Sequence, residues 1–361
     1  MMLRPRQTLL VKRTLAALDR HGNTLAVAPT GCHAPGTPIL LHDGSVRPVE
    51  EIVVGDRLMG PTGSRLVLEL HLGHDEMFEV RPMKGDSFVV NAGHVLTLVR
   101  TNDGHGSRAD EILDIPLAEY LSSSATFRHL HKLFRVPADF PEQETPSIDP
   151  YFLGVLLGDG SIKYVASVTT PDVEIAETVY AQAEIWGLST RVEQVPNNLA
   201  NTYHLVGTRG VRNSLIESLR VLGLHGHGAA DKFVPLVYKL GDRSTRFAVL
   251  AGLLDTDGHL SRNAMFEYCS RSEQLAKDVV FVARSLGFLA TIRPKTVNDT
   301  RYWRVHLSGD CDHIPMRILR KQAAARRQRK DPLRTGFTVH PVGEGDYFGF
   351  TVDGDHRYLL G

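Results

Sequence analysis

The stretch Leu250-Ala-Gly-Leu-Leu-Asp-Thr-Asp257-Gly258 decides the reading, together with an earlier one, Phe152-Leu-Gly-Val-Leu-Leu-Gly-Asp159-Gly160. Each is apolar, carries small residues four apart (Gly252 and Thr256; Gly154 and Gly158) and ends in Asp-Gly. As helices, both would show a flat face, because positions i and i+4 lie one above the other. Flat faces let two backbones approach closely. Packed side by side, the helices would bring Asp159 and Asp257 together at their C-terminal ends. There, like charges and two helix dipoles add up to negative potential. A hard divalent cation relieves that repulsion, and Mg2+ takes carboxylate and phosphate oxygens together. Gly160 and Gly258 suit left-handed caps. One such helix would be ordinary packing; two with the acid in register point to a metal site on Asp159 and Asp257 for phosphodiester hydrolysis.

Working outward, each stretch is followed by strand-like residues, a helical segment (171–186 and 272–286), a glycine step (Gly187-Leu188 and Gly287-Phe288) and another strand. This internal repeat predicts an α/β body of two pseudosymmetric halves, 151–230 and 231–315. Upstream, residues 32–135 begin with short β-like pieces at 38–41, 47–49, 65–72, 77–80, 87–91 and 95–99. Turn signals at Asp43-Gly44, Gly60-Pro61 and Lys84-Gly85-Asp86 separate them, as in a small all-β unit. Residues 136–150, rich in prolines and acids, read as a linker, and 316–335, with Arg317, Arg320, Lys321 and Arg334, as a basic one. β texture returns over 336–361. At the other end, a helix and a short strand over 24–28 run into Ala28-Pro29-Thr30-Gly31, the start of a phosphate loop that breaks off at Cys32.

Composition sets limits on this. Hydrophobic residues at 42% and charged residues at 23% fit a folded globular chain and exclude wholesale disorder. Lys plus Arg balance Asp plus Glu at 41 each, so total charge says nothing of nucleic acid, although basic residues cluster at both ends. No signal peptide or membrane-length apolar run is present, and three scattered cysteines are too few for a disulfide framework or a zinc site. A reducing cytoplasm is the expected setting.

The second stretch is similar to the LAGLIDADG motif of homing endonucleases nearly residue for residue. The first departs from it at Leu157, where that family often has an acid, but keeps Asp159. Lys232-Phe-Val-Pro235 resembles the family's lysine-proline segment, which makes Lys232 a catalytic candidate. The resemblance implies curved strands on double-stranded DNA, with Arg191, Arg209, Arg293, Lys295 and Arg304 as contacts. Because the repeat is internal, it also implies a monomer.

Cys32-His-Ala-Pro-Gly36-Thr37, then an apolar strand and Glu51-Ile-Val-Val-Gly55-Asp56, resembles the start of an intein or related Hint domain. The chemistry such a start needs is attack of the Cys32 thiol on the carbonyl of Gly31, converting an amide to a thioester with no cofactor. In Asn91-Ala-Gly-His94, His94 fits the family's general acid, and Asn91 stands where the family usually has threonine. The segment 349–360 resembles the late Hint motif, with His356 matching a histidine that assists later steps. The resemblance implies a horseshoe-like splicing domain split in sequence, with the nuclease nested inside. No His-Asn dipeptide occurs in the 361 residues, so activation of the Gly31–Cys32 bond is expected rather than complete splicing. Leu3-Arg4-Pro5-Arg6-Gln7 and Ala28–Gly31 resemble the start of a superfamily 2 helicase, whose gene without the insert would be the DNA target. ATP would bind only in the joined host. A free-standing nuclease or DNA-binding protein with a degenerate Hint domain is the alternative; it leaves Cys32 and the β region unexplained.

Overall fold

The computed structural model describes residues 32–104, 108–194, 199–325 and 331–361. The expected host segment 1–31, including Gly31, lies outside the described residues, as do Arg326, Arg327, Arg329 and Lys330 of the basic run.

The chain builds an outer β module from both of its ends. A 20-residue strand, Gly63–Pro82, pairs antiparallel with Phe337–Val352 from Phe337↔Pro82 to Val352↔Val67. Cys32–His33 lies against the same late strand, Cys32 opposite Gly349, while His33 also faces Val90 of Phe88–Asn91. The ladder continues at the chain's end, where Ile39 bridges Leu360. Two separate strands, 65–72 and 77–80, were expected; one is found. Phe337–Val352 pairs with it from Val67 to Pro82, with register shifts at Pro341/Gly343 and Thr351/Val352, so Gly73 is carried through the ladder opposite Tyr347 instead of turning. Ile39, Leu58, Val67, Phe350 and Val352 form one apolar core of this module, joining early and late residues.

Between these segments in sequence lies the α/β body, whose two halves have sheets of one strand order. The helix Pro150–Leu157 leads to an antiparallel sheet ordered Gly160–Ser161, Ser167–Thr170, Asn201–Val206, Ser189–Gln194. The helix Arg243–Asp257 leads to Gly258–Leu260, Phe266–Ser270, Thr300–Ser308, Leu289–Val297 in the same order. Each half adds an outer helix after its second strand, Val173–Ile185 or Glu273–Ser285, and a further short helix, Ser214–Val221 or Leu236–Lys239. The glycine after each outer helix, Gly187 or Gly287, takes the left-handed conformation.

The two motif helices meet backbone to backbone. A Cβ at Gly154 would fall on the Val249 carbonyl oxygen, one at Gly252 on the Tyr151 carbonyl oxygen, and one at Gly158 on the Thr256 side chain. Gly160 and Gly258 depart from expectation. Neither has a positive φ, and Gly258 is extended at φ −87 ψ 141. Their missing side chains serve close approach: a Cβ would strike Leu156 or Leu254 in the last turn of the preceding helix.

Neither expected linker is free chain. Ala138 is buried, and the guanidinium of Arg246, 1% exposed, donates to the carbonyls of Gly241 (2.8 Å) and Ala138 (2.9 Å), to Ser285 Oγ (2.7 Å) and to Asp139 (2.8 Å). Ile314, Met316 and Ile318 belong to the same apolar core as both motif helices, so the α/β body runs past residue 315 into the expected basic linker.

Candidate functional site

Asp159 and Asp257 stand at the ends of the two motif helices. Both carboxyl groups reach solvent, yet protein crowds them from behind, and burial is the leading cause that raises both pKa values. Asp257 is pushed up to about 6, with Asp159 as the second cause; Lys232 and Lys321 pull the other way. The same two carboxylates act on the buried Tyr268 hydroxyl, whose residue pairs across the strands with Gly258. Repulsion between the two acids is thus built into the fold.

Each motif helix ends on a buried ammonium group. Lys232 Nζ donates to the carbonyls of Leu156 (3.0 Å), Leu157 (2.9 Å), Gly158 (3.2 Å) and Gly160 (2.7 Å). Lys321 Nζ donates to those of Leu254 (3.1 Å), Asp255 (2.6 Å) and Thr256 (2.9 Å). A cation there satisfies carbonyls that have no partner within the helix and opposes the negative end of its dipole. Burial lowers both lysine pKa values, Lys232 to about 8, while Asp257 and Asp159 hold Lys232 up. Sequence reasoning found Lys232 and missed Lys321, which it counted in a solvated basic run. The available signal was Asp255, the motif's own acid. It accepts from Tyr151 Oη (2.7 Å) and from the backbone N–H groups of Arg317 (2.8 Å) and Ile318 (3.3 Å), clamping the segment that delivers Lys321. The first motif has Leu157 at that place. Its lysine segment is held instead by Ser272 on the Lys232 carbonyl (2.6 Å) and Asp278 on the Val234 N–H (2.9 Å).

Among the described residues no group of three or more His, Cys, Asp or Glu could hold a metal ion. The donor set at the helix ends is therefore two acids, which suits a hard cation completing its shell with water and phosphate oxygens.

The sheet faces turned away from the core carry the basic candidates. Arg293 lies opposite Arg304, and Lys295 opposite Tyr302, with the core-facing Ala290, Val305 and Leu307 alternating in sequence. Arg191 is exposed on the equivalent strand of the first half, opposite His204. Arg304 is also ion-paired with Glu267 (3.0 Å). Arg209 is exposed beyond the end of its strand, off the ladder. Cys269, on the same face as Arg304, feels Lys295, Arg304 and Asp257, so this basic surface adjoins the acid pair.

A second constellation surrounds Cys32, which is 2% exposed and outside any disulfide. His33 Nε2 lies 2.8 Å from Tyr358 Oη, and the His33 and His94 rings meet edge-on with centroids 5.0 Å apart. Burial pushes His94 down to about 4; burial and then His94 push His33 well down, so both imidazoles are neutral near pH 7. Asn91 is buried and directs its amide to Asp75 (3.4 Å). His356 is exposed, with Nδ1 2.6 Å from the Val352 carbonyl and φ at +60. Tyr358, two residues on, is the late-motif residue that the structure brings to His33. Sequence reasoning overlooked both His33 and Tyr358, because neither falls at a position where a side chain was sought.

Residues 32–110 match the family described as Hom_end-associated Hint, and residues 244–313 match the LAGLIDADG-like domain. These two stretches of the chain are thus similar to a Hint domain and to a LAGLIDADG-like domain. It is 28% identical over 268 residues to a replicative DNA helicase DnaB of Mycobacterium intracellulare, covering 68% of this chain and 41% of that protein. It is 24% identical over 254 residues to the homothallic switching endonuclease of Saccharomyces cerevisiae, covering 60% and 43%. It therefore spans less than half the length of these curated relatives. Among solved structures, I-DmoI in complex with DNA and Mn aligns with a TM-score of 0.33 at 14% identity, over 44% of this chain and 88% of that one. The gp41-1 intein aligns with a TM-score of 0.18 at 16% identity, over 24% and 77%. No helix among the described residues is long and apolar enough to cross a membrane.

Proposed function

We propose that this chain is an intein that carries a site-specific double-stranded DNA endonuclease. The observation that carries the reading is the nesting. A LAGLIDADG-type helix pair with its acids together lies between two sequence-distant segments that pair strand by strand around Cys32.

On the splicing side, the Cys32 thiol attacks the Gly31 carbonyl, the S–C bond forms, and the C–N bond breaks as His94 gives the departing nitrogen a proton. Residues 336–361 complete the split Hint domain, and Asn91 and His356 support later or neighbouring steps. On the nuclease side, Asp159 and Asp257 hold Mg2+, which supplies Lewis-acid activation and charge neutralisation when bound. Lys232 and Lys321 fix the helix ends and offset negative charge beside the scissile phosphate. Arg191, Arg293, Lys295 and Arg304 hold the DNA across the two sheets, with Arg209 contacting it from beyond its strand's end. The similarity to helicases, together with the N-terminal segment's resemblance to one, supports a helicase host whose uninterrupted gene is the target.

The test has two arms. Thiol treatment should release the segment before Cys32 from the wild-type chain and not from Cys32→Ala; release that persists in the mutant removes the splicing reading. Asp159→Asn or Asp257→Asn should abolish Mg2+-dependent cutting of DNA spanning the uninterrupted gene, and unchanged cutting removes the metal assignment.

A further inference from the structure

We infer that Tyr358 and His33 form a proton relay that takes the proton of the Cys32 thiol and returns it, by way of His94, to the nitrogen released in the acyl shift. The inference rests on the splicing reading above and adds two residues to it.

The geometry starts from the hydrogen bond between Tyr358 Oη and His33 Nε2, 2.8 Å long and inside the β module. His33 is 2% exposed, and the Tyr358 ring is held against Phe350 with centroids 4.7 Å apart. A neutral His33 has one N–H and one lone pair. A phenol is a stronger donor than a neutral imidazole, so the hydroxyl donates to Nε2 and the imidazole proton resides on Nδ1. The oxygen of Tyr358 is then left with lone pairs free to accept a proton, and the Cys32 sulfur is near enough to act on Tyr358.

On its far side, His33 meets the edge of His94, and the Nδ1 atoms of both rings are buried without a hydrogen-bond partner. An unpaired buried polar atom is costly, and the relay uses these two as its inner proton-transfer step. As sulfur attacks the carbonyl carbon, the thiol proton passes to Tyr358 Oη and the Tyr358 proton to His33 Nε2. His33 Nδ1 gives its proton to His94 Nδ1, and the other nitrogen of His94 gives one to the Cys32 nitrogen as the C–N bond breaks. One S–C bond replaces one C–N bond. One proton has moved from sulfur to nitrogen, and both histidines end neutral in the opposite tautomer. The route creates no lasting imidazolium, which suits a site whose burial disfavours charge.

The experiment is Tyr358→Phe, which removes the hydroxyl and keeps the ring, in the full chain. The rate of dithiothreitol-induced release of the segment before Cys32 is measured from pH 6 to 9, with DNA cutting and the melting temperature as measures of fold. Loss of a positioned base typically costs about 100-fold or more. The variant should lose at least ten-fold at pH 7 and then gain rate steeply with pH, because thiolate must form by itself; wild type should change far less. His33→Gln should show the same steep profile. A Tyr358→Phe rate equal to wild type, or one lowered by a constant factor at every pH, would overturn the relay while leaving Cys32 as nucleophile. If wild type and Cys32→Ala are equally inert, the splicing reading falls and the relay with it.

Discussion

Asp257→Asn should make this protein more stable above about pH 6 while abolishing the DNA cutting proposed above. In the folded chain the Asp257 carboxyl is held up at about 6, against an ordinary 3.8, by burial and by Asp159. A carboxyl raised in this way binds its proton more tightly in the folded state. Its favourable contribution is complete below about pH 3.8 and is lost as pH rises through about 6. Ionised Asp257 is therefore a strain on the fold. At about 1.4 kcal/mol for each pH unit, the gap caps that strain near ~3 kcal/mol. Asp257 is exposed to solvent on one side, and screening brings the expected value to about 1–2 kcal/mol. For a body of this size, that corresponds to a melting temperature higher by about 3–6 °C. Asn has the same shape and no charge, so the gain should be present at pH 8 and vanish at pH 4, where the wild-type carboxyl is protonated too. Thermal unfolding of both proteins at the two pH values is the assay, without divalent cations and with EDTA. Mg2+ should then stabilise wild type at pH 8 and leave the variant unmoved. If the difference in melting temperature is the same at pH 4 and pH 8, or if the variant melts lower at pH 8, the repulsion argument is wrong.

Three further outcomes follow from the same packing. Gly252→Ala places a methyl group on the Tyr151 carbonyl and must part the motif helices, costing about 1–3 kcal/mol in urea unfolding and reducing DNA cutting. Lys321→Met leaves the Leu254, Asp255 and Thr256 carbonyls without their ammonium and raises the charge imbalance at Asp257; DNA cutting should fall more than ten-fold with thiol-induced release at Cys32 unchanged. Arg246→Met strips donors from three buried acceptors and from the exposed Asp139, and should lower stability by about 3 kcal/mol, read by chemical denaturation.

What could be read from the sequence was whatever local repetition carries. The doubled Gly-x-x-x-small spacing ending in Asp-Gly announced the helix pair, and the glycines at 187 and 287 announced the ends of the outer helices. Lys321 was missed because the one signal for it, Asp255, acts by reaching across to the backbone at 317 and 318, a contact between residues more than sixty apart. Gly258 was misread for a related reason. An Asp-Gly after a helix looks like a left-handed cap, but the next strand folds straight back over Leu254, so absence of a side chain mattered and handedness did not. His33 and Tyr358, 325 positions apart, meet only because Phe337–Val352 returns alongside Cys32–His33. The family resemblance of 32–37 and 349–360 implies that the two segments share a domain, but nothing in either marks His33 and Tyr358 as partners.

The same return also ties the two chemistries together mechanically. Leu40 and Met59 of the β module, with Leu359 beside Tyr358, share an apolar cluster with Ala138, Phe140 and Phe281 of the α/β side. Phe281 lies on Glu273–Ser285, the outer helix behind the sheet that carries Arg293 and Arg304, and it stacks on Phe140 with centroids 5.5 Å apart. Leu359 also donates to the Met59 carbonyl (2.8 Å) and accepts from the Leu40 N–H (3.1 Å), so its position is set by both the module's backbone and the cluster. Phe281→Ala would open a gap in the cluster against which Leu359 packs while leaving every residue of the cysteine constellation in place. Because Phe281 is half-buried, the cost should be about 1–2 kcal/mol, below the range for a fully buried ring. If Leu359 anchors the segment that presents Tyr358, thiol-induced release at Cys32 should slow in this variant although the mutated residue belongs to the other body. A release rate equal to wild type, in a variant shown by calorimetry to be destabilised, would mean that the β module holds its late segment without help from the nuclease.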